Sequence, residues 1–350
     1  MSSALDIGIA ADLRPSTAGS MAGCDDRFEE YDSPATIDAI SAAIAARGHA
    51  PRFLAGGRDF LETVLADPPD LVFNLAEGFG TRSREAHVPA VCEMLGIPFT
   101  GSDPLTLATA LDKGVAKRLV ASAGLATPRF AVVERLADVP LLSLAFPAIA
   151  KPLREGSSMG IRSAARVDDR AALAREVERL LGDYAEPVLV EEFCSGPEFT
   201  VGILGEGAGA RALGVMEILP RGSEGRAADL ERFVYSIEAK RNWRAEIEYH
   251  VPPKRDAALV RAVEELALAS ARALACRDLC RVDVRLDADG RPRFLEANPL
   301  PGLAPGAGDV VILAERVGIA YDELIDRVIG CALARTGLRL QSGRVTCPSA

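Results

Sequence analysis

Histidine is scarce and paired cysteine is absent. The three histidines, His49, His87 and His250, lie far apart, and the seven cysteines include no Cys-x-x-Cys pair. Neither a zinc site nor a disulfide framework is expected from such a pattern. Cys276 and Cys280 fall on one helix face, where buried free thiols are the expected state. No apolar run approaches the length of a membrane span, and the opening MSSALDIGIAADLRP has an acid inside its short apolar stretch and no basic leader. A cytoplasmic location is expected. Positive charge is not in excess either. The net charge of -10 argues against general affinity for nucleic acid or anionic membrane, while leaving room for a local basic pocket. There is no internal repeat.

What remains is an ordinary globular balance, 49 % hydrophobic and 26 % charged, over 350 residues, enough for more than one packed unit. Leu5 to Ala10 reads as a short strand, followed by a long polar loop from Asp12 to Asp32. Ser33-Pro34 opens a helix that ends at Gly48, with a serine cap, a proline in first position and a terminal glycine. Leu71 to Leu75 is a second strand, and this order suggests a parallel sheet with a crossover. A helix from Glu85 to Leu95 leads to Thr100-Gly101-Ser102, where a first unit ends.

Another helix is expected from Leu107 to Ala123, carrying Asp112, Lys113 and Lys117. Phe146 to Lys151 reads as a strand ending in a lysine, and Arg154-Glu155-Gly156-Ser157-Ser158-Met159-Gly160 follows it. A loop of glycines and serines exposes backbone N–H groups, and a lysine at its base adds a fixed charge, a combination suited to polyphosphate. A plain surface hairpin has the same composition. Val188 to Phe193 is a further strand, turned back by Ser195-Gly196-Pro197 into Glu198 to Leu204, so Glu191 and Glu198 flank one turn. Arg221 to Arg232 is charge-dense with Gly222 and Gly225 as hinges, the pattern of a mobile lid or of a loose loop. Helices are expected over Ala257 to Ala275 and Tyr321 to Ala334, with a frayed tail from Gln341.

The segment Arg281 to Gly302, RVDVRLDADGRPRFLEANPLPG, carries the most chemistry. Alternation on both sides of Asp287-Ala288-Asp289-Gly290 predicts two antiparallel strands with Asp287 opposite Pro292, Asp283 opposite Glu296 and Arg281 opposite Asn298. One face then holds Val282, Val284, Leu286, Leu295 and Ala297, and the other Arg281, Asp283, Glu296 and Asn298. Two carboxylates facing each other across a ladder repel unless a cation sits between them. Carboxylates with an amide oxygen suit magnesium held partly through substrate phosphates. Neutralisation by Arg281 and Arg285 on a solvated face is the alternative.

The stretches AEGFGTRSREAHVPAVCEMLGIPFTGSDPLTLATALDK, FPAIAKPLREGSSMGI, VEEFCSGPEFTVGILG, YSIEAK and RVDVRLDADGRPRFLEANPLPG together resemble the D-alanine:D-alanine ligase branch of the ATP-grasp superfamily, in family order from about residue 70 to 310. The resemblance implies a mixed α/β fold: an N-terminal parallel-sheet domain (1–104), a central ATP-grasp subdomain with the nucleotide lid (105–198), and a C-terminal ATP-grasp subdomain with the metal site (199–350). It implies that Lys113 and Lys151 hold the phosphates of ATP, that Glu191, Glu192, Phe193 and Cys194 line the adenine edge, and that Glu198 meets the ribose. Asp283, Glu296 and Asn298 would bind Mg2+, or Mn2+ in its place. Arg281 and the backbone N–H of Gly302 would stabilise a tetrahedral oxyanion, Ser157 would order the lid, and Lys240 would meet the second substrate's carboxylate. The implied reaction transfers the γ-phosphoryl group to a carboxylate and lets an amine attack the acyl phosphate. The expected partners are small amino acids or peptides and a second copy of the chain, with no nucleic acid or membrane.

The departures fall on the substrate side. No residue in ADLRPSTAGSMAGCDDRFEEYDS matches the family's amine-binding glutamate. Arg241 stands where the family has a tyrosine, and Ala304-Pro305-Gly306-Ala307 stands where it has a serine. Tyr235, Arg241 and Glu77 are the remaining substrate candidates, and Arg241 is expected to receive a carboxylate through two parallel hydrogen bonds. The acyl donor and acceptor are therefore open between D-alanine and another amino acid or small peptide. A nucleotide-binding module without chemistry has no need of the complete metal set, and a nicotinamide-dependent oxidoreductase would need a glycine fingerprint on a strand-to-helix turn, which is absent.

Overall fold

The computed structural model describes residues 4–15, 25–223 and 226–338. Residues 16–24 of the loop after the first strand, residues 224–225 of the 221–232 segment and the C-terminal tail from 339 lie outside the described residues. Three separate sheets carry the chain. Strands β1 (Asp6–Ala11), β2 (Ala50–Ala55) and β3 (Leu71–Leu75) form a parallel sheet in the order β2-β1-β3. The Pro34–Ala46 helix between β1 and β2 starts as its sequence requires, with the Ser33 hydroxyl accepting from Thr36 N–H and proline in the first turn.

A four-stranded sheet follows, built from β4 (Phe130–Val133), β5 (Ala148–Pro152), β6 (Arg166–Val167) and β7 (Val188–Glu192) in the order β4-β7-β5-β6. The third sheet holds β8 (Glu198–Leu204), β9 (Arg211–Pro220), β10 (Ile247–His250), β11 (Leu279–Leu286) and β12 (Pro292–Asn298), in the order β10-β9-β8-β11-β12. Both of these sheets are antiparallel. The molecule is thus a mixed α/β protein, with a parallel N-terminal sheet ahead of two antiparallel ones.

The Tyr321–Thr336 helix returns to the first sheet. Its Leu324, Ile325, Val328 and Ile329 share a core with Ile7, Ile9, Ile40 and Ile44, so the last helix closes the first hydrophobic core. No described helix is long and apolar enough to cross a membrane.

Two local expectations change. The single helix over Leu107–Ala123 is two, Pro104–Leu111 and Lys113–Ser122. Asp112 between them is extended, and its carboxylate accepts from Val115 N–H, so an aspartate that caps a second helix interrupts the first. In the β11–β12 ladder Arg281 faces Asn298 and Asp283 faces Glu296 as the alternation requires, but a bulge after Asp283 pairs Val284 with Phe294 and Leu286 with Pro292. The extra residue is Leu295. Phe294 takes the core position beside Val282 and Val284, and Leu295 turns to the opposite face, against the expected assignment.

Candidate active site

The second and third sheets face each other across a cleft. On one wall β5 brings Lys151 and β7 brings Glu191. Glu191 is 2 % exposed, with Lys151 Nζ 2.7 Å from Oε1 and Lys117 Nζ 2.7 Å from Oε2. Burial would raise the Glu191 pKa, but the two lysines outweigh it and hold the acid ionised. Burial alone would lower the Lys151 pKa; Glu191 and Glu296 outweigh it and raise it.

On the facing wall the two acids of the hairpin meet Arg281. Its Nε and NH2 lie 3.1 and 2.9 Å from Asp283 Oδ2, NH2 lies 3.8 Å from Glu296 Oε1, and NH1 lies 3.4 Å from Asp309 Oδ2. Thr200 donates to Asp283 Oδ1 at 2.7 Å. Lys113 and Lys151 each stand 3.9 Å from Glu296 Oε2, so one carboxylate spans the charges of both walls. Burial would raise the Glu296 pKa; Lys113, Lys151 and Arg281 instead bring it down to about 2. Burial pushes Asp283 up despite Arg281.

The turn after β7 supplies an aromatic and two acids. Phe193 lies in the cleft with the Arg285 guanidinium carbon 4.5 Å from its ring centre. Arg285 also reaches Glu198 Oε2 at 3.3 Å and the carbonyls of Gly196 and Phe233 at 3.0 and 2.7 Å. Burial raises the Glu198 pKa to about 7. Cys194 is buried at the cleft, while the Glu192 carboxylate accepts from Ala145 N–H. At the other end Lys240 Nζ is 3.9 Å from Asp309 Oδ2, and the Tyr235 and Tyr249 hydroxyls are 2.7 Å apart.

Asn298, which faces Arg281 across the ladder, and Gly302, Ser157 and Glu77 are not among the residues that line the cleft itself. Asn298 Oδ1 accepts from Leu300 N–H, Gly302 lies in the exposed loop after β12, and Ser157 does not line the cleft. Its neighbour Ser158 does, donating from Oγ to the Tyr235 carbonyl at 3.1 Å; both serines hold positive φ, 47° and 59°. Positive φ at two adjacent non-glycine residues is strained and persists only when surrounding contacts impose it. Glu77 belongs to a separate buried group, in which Arg84 meets Glu30 at 2.6 Å, Glu77 at 3.3 Å, Glu155 at 3.5 Å and Glu85 at 3.8 Å.

That group gives the protein a pH dependence. Burial outweighs the Arg84 charge and raises Glu85 to about 8 and, with Glu30 adding to it, Glu155 to about 7. A raised acid pKa means that the folded chain binds more protons than the unfolded one between the ordinary glutamate value and the folded value. Stability is then fully present below about pH 4.5 and is lost as pH rises through about 8. Thermal unfolding is expected to occur a few degrees lower at about pH 8.5 than at about pH 6, and Glu85→Gln to flatten that dependence. An unchanged slope in the variant would count against the assignment.

Arg241 does not enter the cleft. Its guanidinium meets Asp25 and Glu29, both at 2.8 Å, while Arg162 also pairs with Asp25. Asp26 beside them is fully buried, accepting from Gly160 N–H at 2.9 Å and from the Tyr184 hydroxyl at 2.8 Å. The 25–32 segment thereby fastens the glycine-serine loop to the Ile237–Arg241 helix. Exposed pairs of this kind contribute about 0.2–1 kcal/mol each. Arg241→Ala is expected to speed amide exchange in 25–32 and 156–162 while leaving the second substrate's KM within about twofold. A large rise in that KM with unchanged exchange would return Arg241 to the substrate.

Two antiparallel sheets that face each other across a cleft, with lysines on one wall and a carboxylate pair on the other, define an ATP-grasp fold. The family model described as "D-ala D-ala ligase C-terminus" matches residues 119–330. The chain is 33 % identical over 306 residues to the "Uncharacterized protein y4sG" of Sinorhizobium fredii, covering 85 % of this chain and 87 % of that one. It is 35 % identical over 255 residues to the D-alanine--D-alanine ligase of Cupriavidus necator, covering 72 % and 73 %. In fold it is similar to the D-alanine--D-alanine ligase of Bacillus anthracis complexed with ATP, with a TM-score of 0.71 at 22 % identity over 95 % of this chain and 98 % of that one. The chain belongs to the D-alanine--D-alanine ligase family and is an ATP-dependent ligase that forms peptide bonds.

Lys117 and Arg285 were not singled out as site residues in the sequence. Lys117 is wholly buried on the Lys113–Ser122 helix, and the one local sign of it is a lysine on the same face as Ala116 and Val120. Its partner Glu191 is remote in sequence, so nothing local marks the pair.

Proposed function

We propose that the cleft binds Mg-ATP and activates a small amino acid as its acyl phosphate, for attack by a second amine. The observation that carries this reading is Glu296, which stands between Lys113 and Lys151 on one side and Arg281 on the other. Cations from two sheets converge on the point where charge would develop in phosphoryl transfer. Lys113 and Lys151 are the residues we assign to the phosphates, Phe193 and Cys194 to the base, and Glu198 to the ribose. Glu191 we assign to holding Lys117 and Lys151 in place.

The donor set fits magnesium. Asp283 and Glu296 offer two hard oxygens on one face, Asn298 Oδ1 accepts one hydrogen bond and keeps a second lone pair, and the remaining positions suit phosphate oxygens. When bound, the ion would offset the charge of the phosphates. Arg281 remains beside both carboxylates and orients them. Ser158, held to the Tyr235 carbonyl, places the glycine-serine loop over the cleft, and closure of that loop excludes water from the acyl phosphate.

D-alanine is the donor suggested by the named relatives, and another small amino acid is the alternative that the altered substrate positions favour. A cytoplasmic homodimer fits the same family. Hydroxylamine trapping tests the activation step, because it intercepts an acyl phosphate whatever the natural second substrate is. Hydroxamate formation dependent on ATP and Mg2+ is expected with at least one D- or L-amino acid, and its absence with all of them would refute the proposal.

A further inference from the structure

Arg285 stands on the same face of β11 as Arg281 and Asp283, directly across the ladder from Glu198 on β8. It is 4 % exposed, and all three of its guanidinium nitrogens are used. Nε donates to the Gly196 carbonyl at 3.0 Å, NH1 lies 3.3 Å from Glu198 Oε2, and NH2 donates to the carbonyls of Leu230 and Phe233 at 3.3 and 2.7 Å. The Phe193 ring packs against the same group, its centre 4.5 Å from the guanidinium carbon. One side chain therefore gathers the turn after β7, the first residue of β8 and the 230–233 segment between β9 and β10.

A planar fork of fixed donors reaches that many partners at once, whereas a lysine in its place keeps the charge and loses the geometry. The groups it gathers are those assigned above to the base and the ribose. Glu198 is largely buried, which favours its neutral form; the guanidinium opposite favours the carboxylate that a ribose hydroxyl needs as acceptor. Only Oε2 of Glu198 is engaged among the described residues, so Oε1 is left for that hydroxyl. The carbonyls of Leu230 and Phe233 hold the same guanidinium from the other side of the turn, so the 230–233 segment shares in fixing how Glu198 and Phe193 are presented.

We propose that Arg285 is a positioning residue for the nucleotide, acting through Glu198 and Phe193, and that it couples nucleotide binding to the order of the 230–233 segment. The inference rests on the nucleotide reading of the cleft. Coupling of this kind is reciprocal: a nucleotide that fixes Glu198 and Phe193 also fixes the guanidinium, and with it the two carbonyls.

The test is titration of the full chain with Mg-ATP and with Mg-2′,3′-dideoxyATP, without a donor amino acid, alongside amide exchange with and without ATP. Absence of ATP binding by the unaltered protein defeats the nucleotide reading itself and is seen first. Where ATP binds, loss of the ribose hydroxyls is expected to raise Kd by at least about tenfold, and saturating ATP to slow exchange at 230–233 by at least about fivefold. Arg285→Lys is expected to raise the Kd for ATP by about tenfold, to narrow the dideoxy ratio to about threefold or less and to abolish the protection. A general loss of packing would weaken both nucleotides alike and leave their ratio unmoved. Exchange at 230–233 that ATP does not slow in the unaltered protein would overturn the proposal, and this measurement decides the matter even where the variant does not fold. A folded Arg285→Lys variant that keeps either the ratio or the protection would overturn it as well.

Discussion

Substitution of Lys151 by methionine is expected to lower ADP formation by about 10²- to 10³-fold at saturating ATP. The lysine is buried on β5, 2.7 Å from Glu191 and 3.9 Å from Glu296, so its charge is fixed before any ligand arrives. A preorganised charge of this kind acts on the transferred phosphoryl group without reorganisation, which is why its loss appears in kcat. Methionine keeps the length of the stem, and Glu191 retains Lys117 as a partner, so the buried acid is not left without a counter-charge. The variant is therefore expected to fold, and circular dichroism with an unfolding curve checks it. A folded variant retaining more than about a third of the activity would remove Lys151 from the phosphate site.

The second large effect is expected from Asp283→Asn. Asp283 faces Glu296 across the ladder, accepts from Thr200 and holds Arg281. Asparagine keeps the shape and the Thr200 contact but removes the charge that a metal would share. Turnover is expected to fall by about 10²-fold or more, and the Mg2+ concentration for half-maximal rate to rise by about tenfold. Steady-state assays over a Mg2+ series separate the two effects. A fall in rate with unchanged metal dependence would make Asp283 a support for Arg281 rather than a ligand.

The residues that were legible in the sequence are those whose partners lie close in the chain. The hairpin put Asp283 opposite Glu296 because alternation and one turn fix that register, and the Ser33-Pro34 cap marked its helix for the same reason. Local pattern failed where one extra residue changed the count. The bulge at Leu295 exchanged it with Phe294, and the capping carboxylate of Asp112 divided a helix that periodicity alone made continuous.

Long-range partners were invisible for a different reason. The carboxylates that occupy Arg241 lie 216 and 212 positions away at Asp25 and Glu29, so its composition and spacing gave no hint that it was already paired. Asp309 carries no local sign of its partners; the fold sets it near Lys240, Arg281 and two tyrosines. Glu191 lines the cleft beside Phe193 and Cys194, and the two lysines its carboxylate lies between are remote in sequence, so the pairing left no local sign. Strand alternation identifies a face; the charge met on that face depends on a second sheet.

The account's central claim is that this cleft couples ATP cleavage to a carboxylate and an amine. Its most direct test is ADP release by the purified protein with Mg2+ and ATP, across D- and L-amino acids offered singly, in pairs and with amine partners, with product masses measured. ADP released only when a carboxylate is present, together with a product whose mass equals donor plus amine less water, is the predicted result. ADP release that no carboxylate stimulates, or ATP binding with no new mass under any pairing, would contradict the account.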